Sequence, residues 1–286
     1  QQGAFRRGAN MGTMRIDHPD ILQFITLKED LSQVTNYNLS CTTPDSFMKR
    51  VTDDPGSVHV VVSPHDQRKG YLAKSTNKVD YEAYGKTVNK AEYWTTQEIY
   101  DVIVEKAWQS GEPGLIFLDK INAVNPTPNV GEMTSTNPCG EQPLLPYEAC
   151  NLGSLNLAAF HVPAADGNDP GDIDWDGLGE TIRTAVRFLD NVVEVNNYPT
   201  PEIDEMCRAN RKIGLGVMGW ADLLFKLDVA YDSEAALDVA RKVGDFIQKQ
   251  AWDRTPGWPR RRAPSSTGRV LAGTRCWVAR CATRTA

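Results

Sequence analysis

The sequence predicts an α/β protein with a largely parallel sheet, because short apolar runs alternate with amphipathic helical segments. Three observations carry this. Thr95 and Glu98 form a capping-box pattern that opens a helical period after the apolar run 58–62 and before the run 115–118. Residues 178–195, 203–211 and 235–252 repeat apolar residues at helical spacing. Between the last two lies 213–219, an apolar stretch with three glycines that reads as a strand, followed by a short helix at 220–227.

Taken in order, residues 1–8 (QQGAFRRG) read as a polar loop with two adjacent arginines, and 9–16 as a strand ended by His18-Pro19. Ile21, Phe24 and Ile25 give 20–28 a helical period, and 45–51 reads as a helical turn. The run 58–62 is a short buried strand closed by Ser63-Pro64, and the polar stretch 65–91 reads as loop and surface helix. In the helix that Thr95 caps, Ile99, Ile103, Ala107 and Trp108 are assigned to one face, and Gly111 ends it. The Pro-, Asn- and Thr-rich segment 122–136 is loop, as is 166–171. Thr200 with Pro201 at the first helical position and Ser233 supply the later caps. There is no internal repeat.

The 286 residues suffice for one large domain or two ordinary ones, and 41% hydrophobic with 24% charged residues place the chain among globular proteins. No apolar run is long enough to cross a bilayer and no charged-then-apolar leader precedes the body, so no membrane role and a cytoplasmic setting are expected. Six cysteines are too sparse for a disulfide scaffold. The net charge of −6 conceals an asymmetry: eight arginines and no acid lie from Arg254 onward, leaving −14 on residues 1–253. A body that acidic makes no nucleic-acid binder. Beginning at Gln1-Gln2-Gly3 without an initiator Met, the chain reads as a piece of something longer. Its helical pattern stops in mid-face at Trp252, so 254–286 reads as a basic tail, best explained by a reading-frame slip.

The chemistry concentrates in NPCGEQPLLPYEACNLGSLN (137–156). Asn137, Cys139 and Glu141 stand at i, i+2 and i+4, and on an extended strand all three would share one face. Pro138 biases Asn137 toward extended backbone, and Gly140 leaves room for a ligand to approach. Cys150 adds a second thiol. Most free cysteines are small core hydrophobes, but the Pro-Cys-Gly context of Cys139 argues for exposed or tightly turned backbone. A thiolate nucleophile would want a nearby histidine, and a carboxylate at i+2 opposes ionisation. Zinc needs four ligands, and neither CxxC nor HxxxH spacing occurs near the run, so no metal site is assigned. A thiol that stays protonated and gives up its hydrogen atom fits better. Gly214, Gly216 and Gly219 match G-x-G-x-x-G, but they lie inside an apolar strand-like run after a polar helix, which argues against a dinucleotide site.

NPCGEQPLLPYEACNLGSLNL resembles the finger loop of ribonucleotide reductases, in particular the adenosylcobalamin-dependent (class II) branch. FRRGANMGTMRIDHPDILQFI, GEPGLIFLDKIN followed by NPTP, and NRKIGLGVMGWADLLFKL agree with that family in the same order. The resemblance covers about 1–253, taken as a partial barrel domain, and leaves 254–286 unmatched.

It implies part of the ten-stranded α/β barrel of those enzymes, with a finger loop carrying the radical cysteine. It implies reduction of ribonucleotides, as diphosphates, to 2′-deoxyribonucleotides for DNA synthesis. Cys139 would carry a thiyl radical that abstracts the 3′-hydrogen, Glu141 would act as base on the 3′-hydroxyl, and Asn137 would hold the ribose hydroxyls. Cys150 would be half of the reducing dithiol, its partner lying upstream of this chain. Gln1, Arg6 and Arg7 would belong to the loop that reads the substrate and its effector. Adenosylcobalamin as cofactor, dNTP or ATP as allosteric effectors, thioredoxin or glutaredoxin as reductant, and a homodimer follow from the resemblance alone. Cys41 and Cys207 read as core, and the Cys276–Cys281 spacing as coincidence. The alternatives are the large subunit of a class I reductase, and an inactive fragment that only binds nucleotide.

Overall fold

The computed structural model describes residues 8–32, 34–165 and 169–252, together with the backbone of 276–277. The chain divides into two compact units, Gln1–Pro146 and Tyr147–Ala286.

The first unit starts with β1 (Asn10–Arg15), α1 (Ile21–Thr26), β2 (Tyr37–Thr42) and α2 (Asp45–Asp53). Next come β3 (Val60–Val62), β4 (Lys69–Leu72), β5 (Val79–Asp80), α3 (Thr96–Ser110), β6 (Gly114–Ile116) and α4 (Leu118–Ala123). The unit closes with β7 (Ser135–Thr136) and β8 (Pro143–Leu144). Strands β1, β2 and β6 form a parallel sheet with β2 in the middle, in the register Asn10↔Tyr37 and Ser40↔Gly114. The central position explains why Leu39–Thr42 is buried residue after residue rather than alternately. Ile16, Ile21, Ile25, Cys41, Phe47, Ile99 and Ile103 gather from the sheet and from α1, α2 and α3 into one core.

Helix α3 keeps its capping box. Thr95 accepts from the Glu98 N–H, the Glu98 carboxylate accepts from the Thr95 N–H, and Gly111 ends the helix at φ 79°. Trp108, however, is 85% exposed. At about 100° per residue it lies roughly 180° from Ile99, opposite the buried stripe, so assigning it to the core face is corrected. The stretch 65–91 also differs from the expected loop and surface helix. Strands β3, β4 and β5 form an antiparallel sheet, Val61↔Gly70 and Leu72↔Val79. Its signal was period two: Gly70 and Leu72 are buried while Lys69 faces solvent. Helix α4 was not foreseen either, being too short to show a period.

The second unit contains β9 (Asn151–Asn156), β10 (His161–Val162), β11 (Asp172–Ile173), α5 (Trp175–Val195) and α6 (Pro201–Asn210). It continues with β12 (Ile213–Met218), α7 (Trp220–Lys226), α8 (Glu234–Trp252) and β13 (Cys276–Trp277). Strand β12 is central and pairs in parallel with β9 (Ile213↔Asn151 to Met218↔Asn156) and with β13. Thr200 caps α6 with Pro201 in its first turn, as expected. Leu178, Ile182, Leu189 and Val193 of α5 pack on Leu155, Ile213 and Leu215, with Val243 and Ile247 of α8 behind them. The strand–helix alternation gives the expected α/β class with two parallel sheets. Among the described residues these sheets do not close into a barrel, and no helix is long and apolar enough to cross a membrane.

Candidate active site: two thiols on one run of sequence

Residues 137–142 form the loop of the β7–β8 hairpin, whose register is Thr136↔Pro143. This corrects the extended rod. The Gly140 N–H donates to Asn137 O (3.0 Å) and closes a turn with Pro138 and Cys139 at its centre. The Asn137 N–H donates to Gln142 O (3.2 Å), and the Gln142 N–H donates to Asn137 Oδ1 (2.9 Å). Pro at the second turn position and Gly at the fourth are turn chemistry, and Gly140 sits at φ 86°, outside the extended region. Asn137, Cys139 and Glu141 therefore share a loop because the hairpin closes, not because a strand alternates.

Cys139 is exposed, as is Glu141, while Asn137 is half-buried. A Cβ built on Gly140 would meet nothing within 4 Å, so the backbone beside the thiol is open to approach. The loop is anchored below its tip: Asn38 Nδ2 donates to Pro138 O (2.7 Å), and Thr13 Oγ1 donates to Ser135 Oγ (3.4 Å). Both anchors come from strands of the parallel sheet, β2 and β1. With its Oδ1 engaged by Gln142, Asn137 keeps its NH₂ group to offer a ligand oxygen.

Cys150 belongs to the second unit, one residue before β9, and is half-buried with its Sγ donating to Asn151 O (3.4 Å). Around it lies a polar cluster that sequence reasoning missed. Lys212 Nζ pairs with Glu148 Oε2 at 2.5 Å, the two side chains being 3% and 0% exposed. Asn210 Nδ2 donates to Glu148 Oε1 (2.8 Å). Next to it Arg211 pairs with Asp190 (2.7 Å) and Glu194 (2.9 Å). The available signal was the run Asn210-Arg211-Lys212 directly before a strand whose first three residues are all buried, where two cations call for acidic partners.

Cys41 and Cys207 are buried, as expected of core thiols. Burial pushes the Cys41 thiol up to about 12 and raises that of Cys207. Cys207 Sγ donates weakly to Ala149 O (4.0 Å). Among the described residues no three His, Cys, Asp or Glu cluster to hold a metal ion. Gln1, Arg6, Arg7 and Cys281 lie outside the described residues, as does most of the tail; of Cys276 only the backbone is described.

Fold and site together define an α/β protein that displays a free thiol at a hairpin tip beside a carboxylate and an amide. The chain belongs to the ribonucleotide reductase barrel-domain family, which it matches over residues 1–256. Over 252 residues (88% of this chain, 29% of the relative) it is 43% identical to the vitamin B12-dependent ribonucleoside-diphosphate reductase of Thermoplasma acidophilum. Over 250 residues (87% of this chain, 32% of the relative) it is 44% identical to the enzyme of that name from Mycobacterium tuberculosis, strain CDC 1551 / Oshkosh. The ribonucleoside-diphosphate reductase subunit alpha of Chlamydia trachomatis serovar D is 31% identical over 264 residues, 87% of this chain and 24% of that protein. The chain thus spans about a third or less of the length of these relatives.

Proposed function

We propose that the protein of which this chain is a part reduces ribonucleoside diphosphates to 2′-deoxyribonucleotides in a cobalamin-dependent reaction. The observation that carries this is the exposed Cys139 at the tip of a closed hairpin, in a chain 43–44% identical to B12-dependent reductases. The 43–44% identity to these relatives, against 31% to a subunit-alpha relative, supports the B12-dependent branch.

Cys139 is the group that exchanges a hydrogen atom with the ribose. As a thiyl radical it takes the 3′-hydrogen, forming S–H and leaving the unpaired electron on C3′. Glu141, two residues on, accepts the 3′-hydroxyl proton and later returns it, while a proton from the reducing thiols lets the 2′-hydroxyl leave as water. The Asn137 NH₂ group donates to the sugar hydroxyls and fixes their orientation over the thiol. Cys150 and a second thiol outside this chain supply two electrons and two hydrogens and become a disulfide. The sum is ribonucleotide plus two thiols giving deoxyribonucleotide, water and one disulfide. Hydrogen returns from Cys139 to C3′ at the end, regenerating the thiyl radical. Adenosylcobalamin, where bound, would supply the one-electron oxidation that readies the Cys139 thiol for the reaction. An exposed thiol beside an open glycine fits that demand.

The same reading assigns the reading of substrate and dNTP or ATP effectors to Gln1, Arg6 and Arg7, and the barrel fragment to 1–253. Thioredoxin or glutaredoxin re-reduces the disulfide, the working unit is a homodimer, and the setting is the cytoplasm. The test is deoxynucleotide formation by the full-length protein with and without adenosylcobalamin. Formation only with the cofactor, and without a radical-bearing second subunit, is expected. Formation without cobalamin that requires a radical-bearing second subunit would overturn the assignment.

A further inference from the structure

We infer that the buried Glu148–Lys212 ion pair is a positioning device for the Cys150 thiol, acting on its delivery of reducing equivalents and not on hydrogen abstraction. The inference rests on the reading of Cys150 as a reducing thiol. Residues 148–150 have no secondary structure of their own, so their backbone needs partners from elsewhere. Those partners bracket the thiol on both sides. Two residues before it, the Glu148 carboxylate is gripped by Lys212 Nζ on one oxygen and Asn210 Nδ2 on the other. One residue before it, Ala149 O receives the Cys207 thiol. One residue after it, Asn151 Nδ2 donates to Leu189 O (2.9 Å) and Asn151 starts the parallel register with Ile213.

The backbone around the pair supports a selected arrangement. Tyr147 stands at φ 62° immediately before Glu148, and Arg211 at φ 49° immediately before Lys212. Arg211 takes this left-handed form as the cap that ends α6, its N–H donating to Cys207 O (2.8 Å), whereas Tyr147 takes it in a loop, where a bulky residue does so only if its surroundings hold it there. The residue after each, Glu148 and Lys212, has its charged group buried. A buried ion pair contributes little net stability over well-packed hydrophobes, so stability alone is a weak reason for one here. Fixing the path of a half-buried reactive thiol at the entry to β9 is a better reason, because a carboxylate held on both oxygens specifies one geometry. Glu148 and Lys212 are positioning residues. Cys150 is the group that reacts.

The test uses the full-length reductase with adenosylcobalamin and a ribonucleotide carrying 3′-tritium. It measures deoxynucleotide formed and tritium released to water. Lys212→Met and Glu148→Gln should each lower deoxynucleotide formed per tritium released by tenfold or more, while Lys212→Arg restores most of the ratio. Glu148→Gln keeps the side-chain volume and decides the question if Lys212→Met does not fold. Both quantities falling in proportion in Glu148→Gln would mean a merely structural pair and would overturn the inference. Cys150→Ser serves as the separate control: deoxynucleotide formation unchanged in that variant would sink the reading of Cys150 itself, whatever the ion pair does.

Discussion

Cys139 and Cys150 stand eleven residues apart in sequence, yet they are held in opposite ways. Cys139 is carried by backbone: a turn closed from Gly140 to Asn137, a hairpin two residue pairs long, and anchors that reach main-chain and hydroxyl oxygens. The segment that leads into Cys150 is held by side-chain charge instead: two residues before it, the Glu148 carboxylate meets the Lys212 ammonium, both removed from water. The two interiors differ in the same sense. The first unit buries a histidine, His59, whose Nε2 meets Ile16 O (2.8 Å), whose ring edges on Phe47, and whose Nδ1 has no partner among the described residues. The second buries an ion pair. Under the proposed function this contrast has a use: a thiol that meets its substrate from solvent suits a light, open tip, and a thiol that passes electrons in fixed geometry suits a rigid base.

The largest expected stability effect is on the charged side of this contrast. Glu148→Ala or Lys212→Ala leaves one buried charge unpaired and should destabilise the second unit by about 3–5 kcal/mol. Amide exchange at Leu215 would report the loss, with Val61 in the first unit unchanged. Replacing both partners by Leu and Met should recover most of it, since a desolvated pair is close to neutral against hydrophobes. Equal protection in the single and double variants would remove the distinction drawn between the two interiors.

The next effect concerns pH. Burial pushes His59 down to about 4, from an ordinary 6.5. Between those values the unfolded chain binds a proton that the folded chain does not, so stability rises with pH across that window and falls on acidification. From pH 7 to pH 5 the first unit should lose about 2 kcal/mol through this group. Exchange at Val61 should follow that loss, and His59→Leu should flatten it; an unchanged slope would show that His59 is not the titrating group.

Smaller effects sharpen the account of the tip and its supports. Gly140→Ala forces a side chain to φ 86° in otherwise open space, so only backbone strain counts, about 1 kcal/mol. Faster exchange of the residue-140 amide, with Leu215 unaffected, is the expected sign. Thr95→Ala removes one donor–acceptor pair of the α3 capping box and should cost the first unit about 1 kcal/mol in urea unfolding.

Much of the scaffold could be read in advance wherever local rules decided it. Thr95, Thr200 and Gly111 cap as their side chains or flexibility dictate, and Ile213–Met218 forms a strand because its apolar run and glycines suit a crowded sheet. Strand β3 falls within the expected strand 58–62, but its antiparallel partners β4 and β5 were missed because they are four and two residues long, too short to outweigh the polar composition around them. The site residues were legible as types, but their geometry was not. Alternation suggested a rod, while Pro138 and Gly140 supplied the competing turn signal that prevailed. Glu148 and Lys212 are 64 residues apart, and only the fold could show that each answers the other.

The central claim is that the thiol at the hairpin tip exchanges hydrogen with the ribose. It is tested most directly by 3′-tritium release from a ribonucleotide in the full-length protein supplied with adenosylcobalamin, wild type against Cys139→Ala. The account predicts turnover-dependent release in the wild type and none in the variant, with Cys150→Ser still releasing. Release by Cys139→Ala at the wild-type rate would contradict it.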